Sequence, residues 1–347
     1  MSQTRVVSQH LRSSIAKAIE LKQYDKIFIL TDNNTMRYCR AIIEVDHPNI
    51  YDITIPAGEE NKTLQTLNIV WEQLQANNAS RHSLMMCVGG GMVCDLGGMA
   101  AACYKRGFDH IHIPTTLLAM VDASIGGKTG VNLNHLKNEI GVFKAPTMVL
   151  VETEFLKTLS DNERLAGYAE MLKHALLSDR QNWARHLRYY WEEPDYDELE
   201  ALILSSQQIK TTIVKADPLE IELRKSLNLG HTFGHAFEAF FNRKGRPVSH
   251  GYCVAWGLVC ALYASHTQLG FPIDAMRQTC QYILNYFGRP DVLCKDYEVL
   301  YSLMLHDKKN VGEQVCFVLL EDIGKPVINN ILDKETIFAA LDFLREG

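Results

Sequence analysis

The chain has 347 residues, 47% of them apolar and 22% charged, with a formal net charge of -6 at neutral pH. That length exceeds what one small core needs and predicts two domains. The mild acidity excludes a general nucleic-acid binder, which carries a basic excess or stripe, and no apolar run reaches the roughly 20 residues that cross a bilayer.

The first ten residues lack the apolar core of a signal peptide, and no strand pattern is evident before residue 26. Residues 26–31 read as a strand ending at Asp32. Strands follow at 50–55, 84–88, 111–113 and 148–151, with a polar amphipathic helix over 63–77 and a helix carrying Asp95 on its first turns. Strands separated by helices imply a parallel sheet covered on both faces. Ligands of such sheets collect at the carboxyl ends of the strands. Beyond residue 152 helical patterns dominate, over 162–177, 197–216, 231–241 and 252–269. A β pattern at 314–320 and 325–329 predicts a hairpin through Asp322, Ile323 and Gly324. The expected division is a Rossmann-like α/β domain over 1–152 and a mostly α-helical domain over 153–347. Nine cysteines, an odd number without any Cys-x-x-Cys pair, predict reduced thiols and a cytoplasmic protein.

Gly89-Gly90-Gly91 follows the strand at 84–88. Small residues there let backbone N–H groups reach a pyrophosphate at a helix N-terminus; a tight turn is the plainer reading. The spacing is not the dinucleotide fingerprint Gly-x-Gly-x-x-Gly. Gly126-Gly127-Lys128-Thr129 is similar to the end of a P-loop, but the first glycine of that loop would fall on Asp122, which excludes a nucleoside-triphosphate loop. Lys128 is then either a point charge for a substrate phosphate or a solvated lysine in a glycine loop. His231 and His235 share one helical face, as a metal-binding pair or with one of them a core or capping residue. Glu170 and Lys173, three apart on a helix, read by themselves as a surface ion pair of little consequence. Arg224 and Asn228 crowd ahead of His231, which gathers cations, an amide and imidazoles around one polar, anionic ligand. One carboxylate and two imidazoles, Glu170, His231 and His250, leave a zinc-like ion room for another ligand. Such an open ion polarises a substrate oxygen, so a nucleotide cradle beside it points to alcohol chemistry assisted by a nicotinamide.

In their shared order these blocks resemble the 3-dehydroquinate synthase family. The matching segments are Gly-Glu-Glu-Asn-Lys at 58–62, Gly-Gly-Gly-Met-Val-Cys-Asp at 89–95, Tyr-Lys-Arg-Gly at 104–107 and Pro-Thr-Thr-Leu-Leu-Ala at 114–119. They continue through residues 121–130, Lys137-Asn138, 166–173, 227–238, His250-Gly251 and Asp307-Lys308-Lys309. The resemblance covers most of the chain. It implies an NAD-binding α/β domain, a helical metal-binding domain and a homodimer. It implies zinc or cobalt on Glu170, His231 and His250, with His235 facing the substrate instead of the metal. It further implies NAD+ contacts from Asp32, Asn34, Glu59, Lys62, Gly90, Gly91, Met92, Asp95, Thr115, Thr116, Asp122, Lys128, Lys137, Thr158 and Leu159.

The implied substrate-facing set is Lys128, Asn138, Lys173, Lys210, Arg224, Asn228, His235 and Lys308. Lys128, Asn138 and His235 would hold a phosphate, and Arg106 would reach it from a neighbouring subunit. Arg224 suits a carboxylate, because guanidinium pairs a planar anion in bidentate fashion. The implied reaction, a step of the shikimate pathway, takes 3-deoxy-D-arabino-heptulosonate 7-phosphate to 3-dehydroquinate and phosphate. It proceeds by transient oxidation with NAD+, phosphate elimination, reduction, ring opening and aldol closure. The neighbouring activities are another sugar phosphate cyclase and a metal-dependent alcohol dehydrogenase such as glycerol dehydrogenase. Two positions depart from the family pattern: Leu136 and Glu222 each replace a usual glycine, which puts loop geometry at issue there.

Overall fold

The computed structural model describes residues 5–8, 10–134, 136–305 and 315–347. The chain forms two compact units, Met1–Ser160 and Asp161–Gly347. The sequence pattern changes near residue 152, but the helical turn Thr153–Thr158 belongs with the first unit.

In the first unit, chain order runs β1 (Arg5–Ser8), α1 (Leu11–Lys22), β2 (Ile27–Asp32), α2 (Asn33–Tyr38), β3 (Ile50–Ile55) and α3 (Leu64–Ala76). It continues with β4 (Leu84–Gly89), α4 (Gly91–Cys103), β5 (Asp109–Pro114), β6 (Lys128–Leu133), β7 (Leu136–Phe143) and β8 (Met148–Val151). Six strands make one sheet in the order β1-β8-β5-β4-β2-β3, every pair parallel. The central β4 is buried throughout, because a parallel strand covered on both faces has no solvated side and needs no alternation. At the edge, β3 buries Ile53 and Ile55 while Asp52 and Thr54 are exposed. The strand β1 lies before residue 26, where no strand pattern is evident in the sequence. It pairs Arg5 to Ser8 with Met148 to Val151, and a four-residue run is too short for its period to be read. The antiparallel hairpin β6–β7 stands apart from the main sheet, where the sequence suggests only a glycine loop. Gly97 lets α4 settle onto the sheet: a Cβ there would lie 2.4 Å from Cys87 Sγ and 2.7 Å from Leu30 Cδ2. The chain passes from β2 outward to β3, then returns to place β4 on the other side of β2. That reversal puts the topological switch point at the carboxyl ends of β2 and β4.

The second unit contains α5 (Asp161–Leu176), α6 (Arg180–Leu187), α7 (Tyr196–Ala216), α8 (His231–Arg243), α9 (His250–Leu269), α10 (Ile273–Phe287) and α11 (Tyr297–Leu305). The expected hairpin follows as β9 (Cys316–Asp322) and β10 (Lys325–Ile331), then α12 (Lys334–Glu346). Helix α9 is the axis, buried along most of its length and packed by α5, α8, α10, α12 and β9. A helix apolar all round belongs in such a place. Its glycines set how closely the neighbours approach. A Cβ on Gly251 would lie 1.9 Å from the carbonyl oxygen of Ala166 in α5, and one on Gly257 would lie 2.0 Å from that of Gly230, just ahead of α8. Three helices are thus held at backbone contact. Among the described residues, no helix is long and apolar enough to cross a membrane.

Candidate active site

Those three helices carry the donor set. Glu170 is fully buried on α5, His231 opens α8 and His250 opens α9. His231 Nε2 stands 3.4 Å from Glu170 Oε1, and His250 Nε2 stands 3.7 Å from the same oxygen. Ligands about 2.0–2.1 Å from a tetrahedral zinc-like ion lie roughly 3.3 Å apart, so these gaps suit one shared ion. The ring tautomers point the same way. His231 Nδ1 is 3.1 Å from the carbonyl oxygen of Leu229; a carbonyl only accepts, so the proton sits on Nδ1 and the Nε2 lone pair faces Glu170. His250 Nδ1 donates to Glu238 Oε2 at 3.3 Å, a carboxylate–histidine contact that fixes the ring and raises the basicity of Nε2.

Glu170 Oε1 is buried and has no hydrogen-bond partner among the described residues, while Oε2 accepts from Lys173 Nζ. An orphaned carboxylate oxygen in the interior is costly unless a cation meets it. With two imidazole lone pairs aimed at that oxygen, the donor set fits a divalent ion. The Glu170–Lys173 pair is therefore buried, not the surface pair its spacing suggests. His235 lies one turn further along α8, with its ring 5.5 Å from His231 and 5.9 Å from His250. Glu170 groups with His231 and His250, and not with the i, i+4 pair His231 and His235.

The same unit holds further cationic side chains in its interior. Lys210 on α7 and Arg224 in the helical turn Leu223–Asn228 are buried, and Asn228 closes that turn. Asp217 shapes the approach: its carboxylate accepts the backbone N–H groups of Ile221, Glu222 and Arg224 at 3.0, 2.7 and 3.0 Å. Those bonds, first that of Ile221, hold its carboxyl below the usual range. Arg224 Nη1 donates to the carbonyl oxygen of Pro218 at 2.7 Å, and Asn228 Nδ2 to Glu220 Oε1 at 3.0 Å. Glu222 has φ -134°, so its position needs no glycine; Glu220 takes the left-handed φ of 60° instead.

In the first unit the residues expected at a nucleotide follow the carboxyl ends of five strands. Asp32 ends β2 and Asn34 follows on α2, while Glu59 and Lys62 come after β3. Gly90, Gly91, Met92 and Asp95 follow β4; Thr115, Thr116 and Asp122 follow β5; Thr158 and Leu159 follow β8. Asp32 caps α2, its Oδ1 accepting the N–H of Thr35 at 2.8 Å. Gly90 caps α4, whose first N–H groups have no partner within the helix. A Cβ on Gly91 would come within 3.1 Å of Ala123 Cβ, so this start nests against the π-helical turn Ala119–Ala123 that carries Asp122. Single π turns recur at functional sites. Lys62 is only 3% exposed, and its Nζ donates to Asp95 Oδ2 at 2.5 Å and Asn138 Oδ1 at 2.6 Å. Lys128 begins β6, and Lys137 and Asn138 sit in β7. Arg106 stands elsewhere: α4 carries the chain about 20 Å back to the amino ends of the strands, where Arg106 is exposed in the turn Tyr104–Arg106 just ahead of β5. Lys308 lies outside the described residues.

Residues 52–166 match the family description 3-dehydroquinate synthase N-terminal, and residues 167–310 match 3-dehydroquinate synthase C-terminal. A 3-dehydroquinate synthase of Parabacteroides distasonis is 44% identical, over 100% of this chain and 99% of its own. This chain belongs to the 3-dehydroquinate synthase family. Two solved structures share the fold, each with a TM-score of 0.84. One is 2-deoxy-scyllo-inosose synthase complexed with carbaglucose-6-phosphate, NAD+ and Co2+, 24% identical over 97% of this chain and 95% of that one. The other is 2-epi-5-epi-valiolone synthase from Streptomyces hygroscopicus subsp. jinggangensis with NAD+ and Zn2+ bound, 22% identical over 99% and 97% of the two chains. To what the resemblance to the 3-dehydroquinate synthase family implies, the structure adds Glu238, which orients His250. Its signal in the sequence is the seven-residue step from His231, two turns along one helical face.

Proposed function

We propose that this chain converts 3-deoxy-D-arabino-heptulosonate 7-phosphate to 3-dehydroquinate and phosphate. In this reading it is a phosphate-eliminating carbon–oxygen lyase. NAD+ binds the first unit, and one zinc or cobalt ion binds Glu170, His231 and His250 of the second. One observation carries it: a buried carboxylate oxygen with no hydrogen-bond partner among the described residues faces two imidazole Nε2 atoms, in a chain 44% identical to a curated 3-dehydroquinate synthase. When bound, the ion supplies Lewis-acid polarisation of a substrate hydroxyl and the dinucleotide supplies a reversible hydride acceptor, so elimination proceeds without net redox change.

The chain's own residues bind and orient. Lys173 occupies one oxygen of Glu170 and leaves the other for the ion. The Leu229 carbonyl and the Glu238 carboxylate hold the two imidazoles with Nδ1 protonated. Arg224 takes the substrate carboxylate, its guanidinium already oriented by Pro218. Lys128, Asn138, Lys210, Asn228 and His235 are the remaining polar side chains assigned to the substrate in this reading. Arg106, at the amino ends of its own sheet's strands, serves a neighbouring copy, so the working form in this reading is a homodimer; it acts in the cytoplasm.

The test mixes purified protein, NAD+, a divalent metal and the heptulosonate phosphate. The expected result is one phosphate released per substrate consumed, with no lasting NADH absorbance. Steady accumulation of NADH without phosphate release would replace this reading with an alcohol dehydrogenase. Preferred turnover of a sugar phosphate lacking the carboxylate would replace it with another cyclase.

A further inference from the structure

Asn132 faces a break in the β6–β7 ladder. Val131 pairs with Ile140, yet the next ladder pair is Leu133 with Leu136. One residue of β6 therefore opposes three of β7: Lys137, Asn138 and Glu139. A bulge of this kind re-aims the side chains of the strand that carries it. Asn138 sits at its centre with a left-handed φ of 52°, which a residue other than glycine keeps only with local support. Asn132 gives that support, its Oδ1 accepting the N–H of Asn138 at 2.9 Å. Its Nδ2 donates to Glu59 Oε1 at 3.0 Å, and its own backbone N–H bonds the Lys62 carbonyl oxygen at 2.8 Å. The side-chain amide has one orientation, since a backbone N–H needs an acceptor and a carboxylate needs a donor.

One amide thus clamps the turn after β3, with Glu59 and Lys62, to the bulge that bears Lys137 and Asn138. Lys62 closes the circuit through Asn138 and Asp95. We propose that Asn132 is a positioning residue that presets Glu59 for the dinucleotide and Asn138 for the substrate while touching neither ligand. The proposal rests on the function assigned above, and it gives a role to a residue that family resemblance leaves without one.

Two variants separate the two arms. Asn132→Asp keeps the acceptor for Asn138 but loses the donor to Glu59 and sets a second carboxylate against it. Asn132→Ala loses both. The readouts are the Kd for NAD+, and the KM for the heptulosonate phosphate at saturating NAD+, each taken well below the variant's melting temperature. The aspartate variant should weaken NAD+ binding about tenfold or more while its KM stays within about threefold; the alanine variant should raise both about tenfold. Equal effects of the two variants, or constants within about twofold of wild type in both, overturn the proposal. A merely structural role predicts that pattern, with only the melting temperature moving. If the alanine variant does not fold, the split in the aspartate variant decides alone. If the wild type releases no phosphate, the assigned function fails, and NAD+ titration of the aspartate variant still decides the Glu59 arm.

Discussion

Gly251 sets the ligand gap across the proposed metal site, and Gly251→Ala tests that reading directly. The added methyl would sit 1.9 Å from the carbonyl oxygen of Ala166 and 2.5 Å from its C and Cα atoms. Ordinary contact begins at 3.4 Å, so 3.4 - 1.9 = 1.5 Å of separation is needed. Every obstructing atom is backbone, and no side chain can swing aside. The first turn of α9 must lift from α5, at a stability cost of roughly 1–3 kcal/mol. His250 is the adjacent residue and moves with it. Its 3.7 Å gap to Glu170 Oε1 would widen toward 3.7 + 1.5 = 5.2 Å. An ion about 2.0–2.1 Å from each ligand spans at most roughly 4.2 Å, so His250 ceases to be a ligand. The loss of zinc affinity should exceed the roughly 10–100-fold seen when only a ligand's supporting partner is removed. Competition against a chromophoric chelator measures it, and thermal melting with and without zinc measures the stability cost. A variant that binds zinc within a factor of three of wild type, and melts where wild type does, would show that this glycine contact does not set the ligand gap.

Glu238→Ala removes the acceptor behind His250 and should weaken metal binding roughly 10–100-fold, with Glu238→Gln weakening it less; chelator competition ranks the two, and equal affinities would discount the tautomer argument. Arg224→Met should raise the KM for the carboxylated substrate about tenfold or more, since a charge-assisted hydrogen bond contributes about 1.5–3 kcal/mol; an unchanged KM removes Arg224 from the carboxylate. His112 in β5 is buried, and burial pushes its imidazole down to about 4. Below the ordinary value of 6.5 the unfolded chain binds a proton that the folded unit refuses. Its contribution to stability is therefore complete above pH 6.5 and falls as pH drops toward about 4, by up to roughly 1.4 kcal/mol per pH unit. The melting temperature of wild type should drop more steeply over that window than that of His112→Asn, which keeps a donor for the Ser124 carbonyl 3.1 Å away. Parallel curves would locate the acid sensitivity elsewhere.

What the sequence makes legible follows from where each physical signal is stored. β4 and the long helices announce themselves because a doubly covered strand must be apolar throughout and a packed helix must repeat every three or four residues. β1 and the β6–β7 hairpin are silent for the opposite reason. Four residues hold no period, and the bulge at Asn138 is stabilised by an amide whose other partner, Glu59, is 73 positions away. The proposed metal site shows the same limit more sharply. Local spacing offers only the pair His231 and His235, because four residues return to one face of a single helix. The donors that meet come from three helices, and what brings them together is the absence of a side chain at Gly251 and Gly257. Burial of Glu170 is likewise a property of the assembled unit, so an i, i+3 glutamate–lysine pair reads as surface decoration until α9 covers it. Resemblance to a family supplies such long-range pairings whole, whereas the roles of Glu238 and Asn132 emerge from the contacts. Both act through another residue, one by orienting a ligand's ring and the other by holding a bulge. Supports of this kind have no signature of their own in the sequence beyond a hydrogen-bonding side chain at the right place, and the right place exists only in three dimensions.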